Sequence, residues 1–270
     1  MADKAWSFLF NMDGFGFYSA AQAGGLTGIA PFSFGVVFAL AAPQLTDQSI
    51  FGNTAVGTAT GCAIRVNATA GQIEAANGTV LQPSGTALAD ADGTYSGNEQ
   101  NLLNNYKSAL TAPAAVVGAT PMAWPSPEPY RLIHMHCDVP ASGNQNTAIN
   151  GRRVAQTAVG LATNSNPFRI GIDSATGNGA GASVFIMGCY YNGAVFSPVN
   201  IATIYNRILQ AKDVGSTLDG TLDYIWSVKR GNPDGRDNWV SSGKAATPIT
   251  MALTGTLSAN TAAIYDLPPA

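Results

Sequence analysis

A period of two runs through much of this chain. In Phe32-Ser33-Phe34-Gly35-Val36-Val37-Phe38-Ala39-Leu40, the residues Phe32, Phe34, Val36, Phe38 and Leu40 fall on one face, the pattern of a strand with one buried side. Similar short runs predict strands at 61–66, 72–75, 79–81, 131–138, 147–149, 153–155, 168–172, 183–191 and 196–205. Asn77-Gly78 and Asn150-Gly151 each sit between two such runs, which is the strongest local signal for a hairpin. Many short strands divided by Gly, Asn and Pro predict an all-β, antiparallel two-sheet sandwich.

Helical spacing is rare. Asn98 can cap residues 99–110, where Leu102, Leu103, Tyr106 and Leu110 share a face. Residues 208–214 make one helical turn at most. Residues 112–129 carry Pro113, Pro121, Pro125, Pro127 and Pro129 and therefore read as an extended surface loop. No internal repeat divides the chain, and the part after Gly215 reads as an appendage. Within it, Ile249, Met251 and Leu253 alternate with Thr250, Ala252 and Thr254 in an uncharged stretch, which is strand patterning. An uncharged edge invites pairing, either on the chain's own sheet or by addition to a neighbouring subunit. Both arrangements are open, and the second makes Ile249, Met251 and Leu253 assembly candidates.

Composition narrows the class. The chain is 46% hydrophobic and only 11% charged, which excludes disorder. A net charge of −3 with 13 Lys+Arg gives no footprint for nucleic acid or an anionic membrane. The longest uncharged apolar run, residues 29–43, is broken by Pro31 and is too short to span a bilayer. The opening MADKAWSFLF lacks the basic, apolar and small-residue succession of a secretory signal, so synthesis in a cytoplasm is expected. Cys62, Cys137 and Cys189 are odd in number and none forms a CxxC pair, so they are expected to be buried small hydrophobes.

An ordered series of segments resembles the concanavalin A-like lectin/glucanase jelly roll in its laminin-G-like or pentraxin-like form. Phe10-Asn11-Met12-Asp13-Gly14-Phe15-Gly16-Phe17-Tyr18 looks like the opening strand of that family, and Pro31-Phe32-Ser33-Phe34 like the next. Ile50-Phe51-Gly52, Cys62 to Asn67, Ile133 to Asp138, Thr147 to Ala155 and Pro167 to Gly171 follow in the family's order. Val199 to Val214 is similar to its closing strand, Asn-Arg turn and short helical turn, the most specific of these matches. The resemblance implies a jelly-roll domain over residues 1–214 with an insertion at about 84–130, and a C-terminal extension, 215–270, packing on the domain or on a partner. This fold hosts lectins, glycosidases and virion proteins, so function needs separate argument.

Glycoside hydrolysis needs two carboxylates at about 5 Å, or about 6.5–9.5 Å for inversion. The glutamates Glu74, Glu99 and Glu128 are scattered, and Asp90 and Asp92 lie in an Ala/Gly turn, so no catalytic residue is assigned. His134 and His136 alternate on one strand, with Asp138 two residues on. With Ile133, Met135 and Cys137 on the core face, the imidazoles are expected on a half-exposed outer face, and no metal site is assigned. No cofactor is expected; calcium stays open as the alternative, through oxygens of Asp138, Asn144, Asp173 and Asn178, because several lectins of this fold bind it so. Sugar stacking requires aromatic faces, for which Trp124, Tyr130, Tyr190 and Tyr191 are the candidates. Lys229, Arg230 and Arg236 read as a solvated or partner-facing rim.

Cytoplasmic synthesis, low charge, an Ala/Gly/Thr/Asn-rich composition and a lectin-like fold without catalytic carboxylates point to a non-enzymatic virion protein. A bacteriophage capsid decoration, cement or fibre component is the reading favoured. Its partners would be other capsid or tail proteins and further copies of itself, a trimer by the symmetry of attachment points, with no nucleic acid and no membrane. A glycan-binding adhesin is the alternative, and a glycoside hydrolase the third.

Overall fold

A computed structural model describes residues 4–10, 16–19, 26, 30–40, 48–53, 61–67, 72–77, 80–82, 133–149, 151–158, 166–171, 184–211, 220–227, 239–254 and 262–266. The first strands are β1 (Lys4–Phe10), β2 (Gly16–Tyr18), β3 (Phe32–Leu40), β4 (Gln48–Gly52), β5 (Cys62–Asn67), β6 (Gln72–Asn77) and β7 (Val80–Gln82). Then come β8 (Ile133–Val139), β9 (Asn144–Ile149), β10 (Arg152–Ala158), β11 (Arg169–Ile170) and β12 (Val184–Asn192). Helix α1 (Pro198–Ala211) precedes β13 (Tyr224–Ser227), β14 (Trp239–Val240), β15 (Thr250–Thr254) and β16 (Ala262–Asp266).

The strands form two eight-stranded sheets. The first has the order β10-β9-β8-β3-β12-β1-β16, with β13 also on β12, and the second β14-β15-β2-β11-β4-β5-β6-β7. The strand pairings are antiparallel. The fold is therefore the all-β, two-sheet antiparallel sandwich that the alternation predicts. Both Asn-Gly hairpins form, β6 with β7 and β9 with β10. Gly151 closes the second at φ +81, a conformation that L side chains avoid.

The core lies between the sheets. Phe32, Phe34, Val36 and Phe38 of β3, Met135 and Cys137 of β8, and Cys189 and Tyr191 of β12 are buried there. They meet Phe51, Ile64, Cys62, Phe168, Ile170 and Met251. A closed circuit of rings joins the two layers: Tyr191 to Phe168 at 5.5 Å, Phe168 to Phe51 at 5.6 Å, Phe51 to Trp226 at 6.1 Å, Trp226 to Tyr224 at 6.0 Å, and Tyr224 back to Tyr191 at 6.5 Å. Such pairs add about 0.5–1.5 kcal/mol each beyond the area they bury. All three cysteines are free and buried, and desolvation pushes each thiol well above its ordinary pKa.

Two expectations change here. The segment after Gly215 is built into both sheets: β13 pairs with β12, β15 with β2 and β16 with β1. Trp226 is fully buried and its indole N–H donates to the Ile249 carbonyl at 3.0 Å, tying β13 to the segment that leads into β15. The second correction concerns residues 196–214. No strand runs to Tyr205, and the helix is not one turn near Ile208; a 14-residue helix begins at Pro198. Asn206-Arg207 lies inside it, so the closing motif of the family resemblance does not hold in that form.

The reason lies in two overlapping periods. Val199, Ile201, Thr203 and Tyr205 alternate as in a strand, whereas Ile201, Ile204 and Ile208 recur with helical spacing. Ser197 caps the helix, its hydroxyl accepting from the Asn200 N–H at 3.3 Å and its carbonyl from Ile201 N–H at 3.1 Å. Pro198 takes the first helical position, where its fixed φ fits and its missing N–H costs nothing. Ile201, Ile204 and Ile208 are buried while Val199, Thr203, Asn206 and Arg207 are exposed.

Candidate functional site

Helix α1 lies over the outer face of the first sheet, and beneath it the chain gathers its histidines. One cross-strand row runs Ala148 (β9), His136 (β8), Gly35 (β3), Tyr190 (β12). The next runs Asn146, Asp138, Ser33, Asn192 across the same strands. Because side chains paired across an antiparallel ladder share a face, all of these project away from the sandwich core. Ala148 and Gly35 keep the row low. A Cβ on Gly35 would land on the Tyr190 ring, so its absence lets the phenol reach over β3 to the histidines.

Tyr190 Oη lies 2.6 Å from His134 Nε2 and 2.8 Å from His136 Nδ1. His136 Nε2 lies 3.0 Å from Asp138 Oδ1, which also accepts from the Phe196 N–H at 2.9 Å. Arg153 Nη2 stands 3.9 Å from Asp138 Oδ2 and donates to the Phe196 carbonyl at 3.3 Å. Beside them, the Ala194 carbonyl accepts from Ser33 Oγ at 2.8 Å and from Asn192 Nδ2 at 2.9 Å.

With both rings neutral, these contacts have one consistent proton order. A carboxylate only accepts, so His136 Nε2–H donates to Asp138 and His136 Nδ1 accepts from the Tyr190 hydroxyl. The phenol oxygen then accepts from His134 Nε2–H. The chain of donors runs His134, Tyr190, His136, Asp138. This assignment follows from the hydrogen-bond network.

The cluster is sealed. Exposure is 2% for His134, 0% for His136, 1% for Asp138 and 0% for Tyr190. The Tyr205 ring of α1 lies nearly parallel to His134, with centroids 5.9 Å apart and planes 6° off, and Phe196 packs on His136 at 5.8 Å. Desolvation first, and then the proximity of His136, lowers the His134 pKa to about 3. Burial first, then the proximity of Asp138 and Cys137, pushes the Tyr190 hydroxyl well up. No member presents a reacting atom to solvent. What the arrangement does is fasten residues 194–197 and α1 onto the sheet.

The histidines are thus on the outer face, as their alternation implies, but they are fully buried rather than half-exposed, because α1 covers them. Tyr190 and Tyr191 are corrected likewise: both are buried, Tyr190 under α1 and Tyr191 between the sheets, and a ring with no exposed face cannot stack on a sugar. Trp124 and Tyr130 lie outside the described residues. Ile249 and Met251 are core residues, and β15 is flanked within the chain by β14 and β2, Leu253 pairing with Phe17. Of the two arrangements left open for this strand, the intramolecular one is present. Among the calcium candidates, Asp138 Oδ1 is spent on His136 and Phe196, Asn144 is exposed on the surface, and Asp173 and Asn178 lie outside the described residues. Among the described residues, no group of three or more His, Cys, Asp or Glu is placed to hold a metal. Glu74 pairs across from Arg65 on β5, while Glu99, Glu128, Asp90, Asp92, Lys229, Arg230 and Arg236 lie outside the described residues.

Sequence reasoning overlooked Gly35, Arg153 and Phe196. A Ser-Pro pair ahead of Ile201, Ile204 and Ile208 was the available signal for the helix that brings Phe196 and Tyr205 onto the histidines.

No protein-family model and no curated protein matches the chain. Solved structures do. A protein of Bacteroides ovatus, named as a candidate carbohydrate-binding protein, superposes over 100% of this chain with a TM-score of 0.57 at 11% identity. The chain spans 61% of that protein's length. A heptameric SAP-like pentraxin from Limulus polyphemus matches 75% of this chain and 82% of its own at a TM-score of 0.41 and 8% identity. A sialidase of Trypanosoma rangeli, in complex with the inhibitor DANA, matches 74% of this chain and 27% of its own at 0.44 and 11%. The fold is an antiparallel two-sheet β-sandwich, shared with the Bacteroides ovatus protein; at 11% identity that likeness carries fold alone.

Proposed function

We propose that this chain is a non-enzymatic structural protein of a virus particle, a rigid lectin-like sandwich serving as a bacteriophage capsid decoration, cement or fibre component. The observation that supports it best is the sealed cluster. His134, His136, Tyr190, Asp138 and Arg153 are spent on clamping α1 to the sheet, so the described polar chemistry stiffens a body instead of presenting a reacting group. The low charge, 11% of residues, suits a module that leaves part of its surface to neighbouring subunits rather than to water. Attachment as a trimer and location on the virion belong to the same reading.

The test is biochemical. The protein should co-purify with intact particles, and deleting its gene should lower the temperature at which those particles lose their nucleic acid. Its absence from purified particles would overturn the reading.

A second reading is glycan binding. It is favoured by the likeness, over all of this chain and 61% of the other, to the Bacteroides ovatus protein, whose name proposes carbohydrate binding for that protein. Binding on a glycan array that free sugar competes away would establish it; binding to no glycan would remove it.

A further inference from the structure

Helix α1 is fastened over a buried imidazole. Three features combine. His134 has its flat face covered by Tyr205 of α1, which leaves it 2% exposed. Its Nε2 is engaged by Tyr190, so the neutral ring is already accommodated. Among the described residues, the nearby carboxylate of Asp138 is bound to His136 and stands 3.9 Å from Arg153. Among the described residues, the rings facing His134 include His136 on its own strand β8, Tyr190 on β12 and Tyr205 on α1. Strand β3 presents Val37 and Gly35 beside it, neither of which ionises.

We propose that α1 with residues 194–197 is an acid-opened clasp: local lifting of the helix uncovers His134 and takes up a proton there. The closed form resists that proton because the ring is desolvated and lies beside His136, which holds its pKa near 3. Once uncovered, the ring regains an ordinary pKa of about 6.5. Linkage then requires the opening equilibrium to grow about tenfold for each pH unit below about 6.5, one proton being bound in the open state only. The sandwich core lies on the opposite face of the sheet, so the clasp can lift as a partial opening below the free energy of global unfolding.

Hydrogen exchange on the full chain tests this. After correction for intrinsic rates, amides of residues 201–211 should lose about fiftyfold in protection between pH 6.5 and 4.5, and at both pH values should exchange through a smaller opening than the amides of β3. His134→Gln, which cannot gain a charge, should flatten that dependence. Imidazole NMR of the unaltered protein gives a second readout: the His134 ring should stay neutral down to pH 4.5 while α1 remains docked. Protection of 201–211 that does not change with pH would overturn the clasp. So would a His134 ring that titrates near 6.5 with the helix still docked, or an undiminished slope in His134→Gln.

Discussion

Gly35 and Tyr190 are directly opposed across β3 and β12, and the Tyr190 ring occupies the space that a side chain on residue 35 would need. A glycine inside a strand ordinarily weakens it, so its presence needs a packing reason, and here a neighbouring ring crosses directly over the backbone. Gly35→Ala should destabilise the protein by about 1–3 kcal/mol through overpacking, read as a lowered denaturant midpoint. Combining it with Tyr190→Ala should give a non-additive result, because the two residues share one volume. Simple additivity would show that the clash is not the cause.

Tyr190→Phe keeps the ring and removes only the hydroxyl between His134 and His136. Two buried imidazole nitrogens then lose that partner, at a cost of about 1–3 kcal/mol. The measurement is the unfolding midpoint with an unchanged m-value. A loss below about 0.5 kcal/mol would mean that the two bonds are made good elsewhere, since net hydrogen-bond contributions start near that figure.

Ending the chain at Lys244 should abolish folding. It removes Ile249 and Met251 from the core, one of the two strands flanking β2, and the carbonyl that accepts from Trp226. Loss of near-ultraviolet circular dichroism in the truncated protein is the expected outcome. A soluble, folded truncation would restore the view of this segment as a detachable arm.

Cys62, Cys137 and Cys189 should not react with a thiol reagent in the native state. They are free and buried, and burial disfavours the thiolate that does the chemistry. Labelling should appear only as the protein is unfolded by denaturant, and rapid native labelling of any of them would contradict the packing.

Global stability should fall on acidification. His134 is held neutral when folded, with its pKa lowered to about 3, so between there and about 6.5 the unfolded chain binds a proton that the native one refuses. Its contribution is complete above pH 6.5 and is lost at about 1.4 kcal/mol per pH unit below that, levelling off under pH 3. The check is the difference between the unaltered protein and His134→Gln in denaturant melts at pH 7 and pH 5, which should shrink or reverse at the lower pH.

Strand β3 and both Asn-Gly hairpins were legible in the sequence because their determinants are local. A period-two run selects one face, and Asn-Gly accepts the φ its turn needs. The burial of the three cysteines was legible too, since each lies in a short apolar, strand-like run and none belongs to a CxxC pair. The site was not. Tyr190 and Tyr191 are neighbours pointing to opposite faces of one strand, and nothing local says that both faces of that strand are covered. Residues 199–208 satisfy a strand period and a helix period at once. The choice falls to the helix because the outer face of β8, β3 and β12 carries two imidazoles, a carboxylate and a phenol that α1 encloses. The phenol, Tyr190, joins the two histidines from more than fifty positions away in the chain. Short-range pattern determined which segments are strands and which side of each is apolar. Long-range strand pairing decided which surfaces meet, and so whether a polar face is open to water or closed beneath a helix.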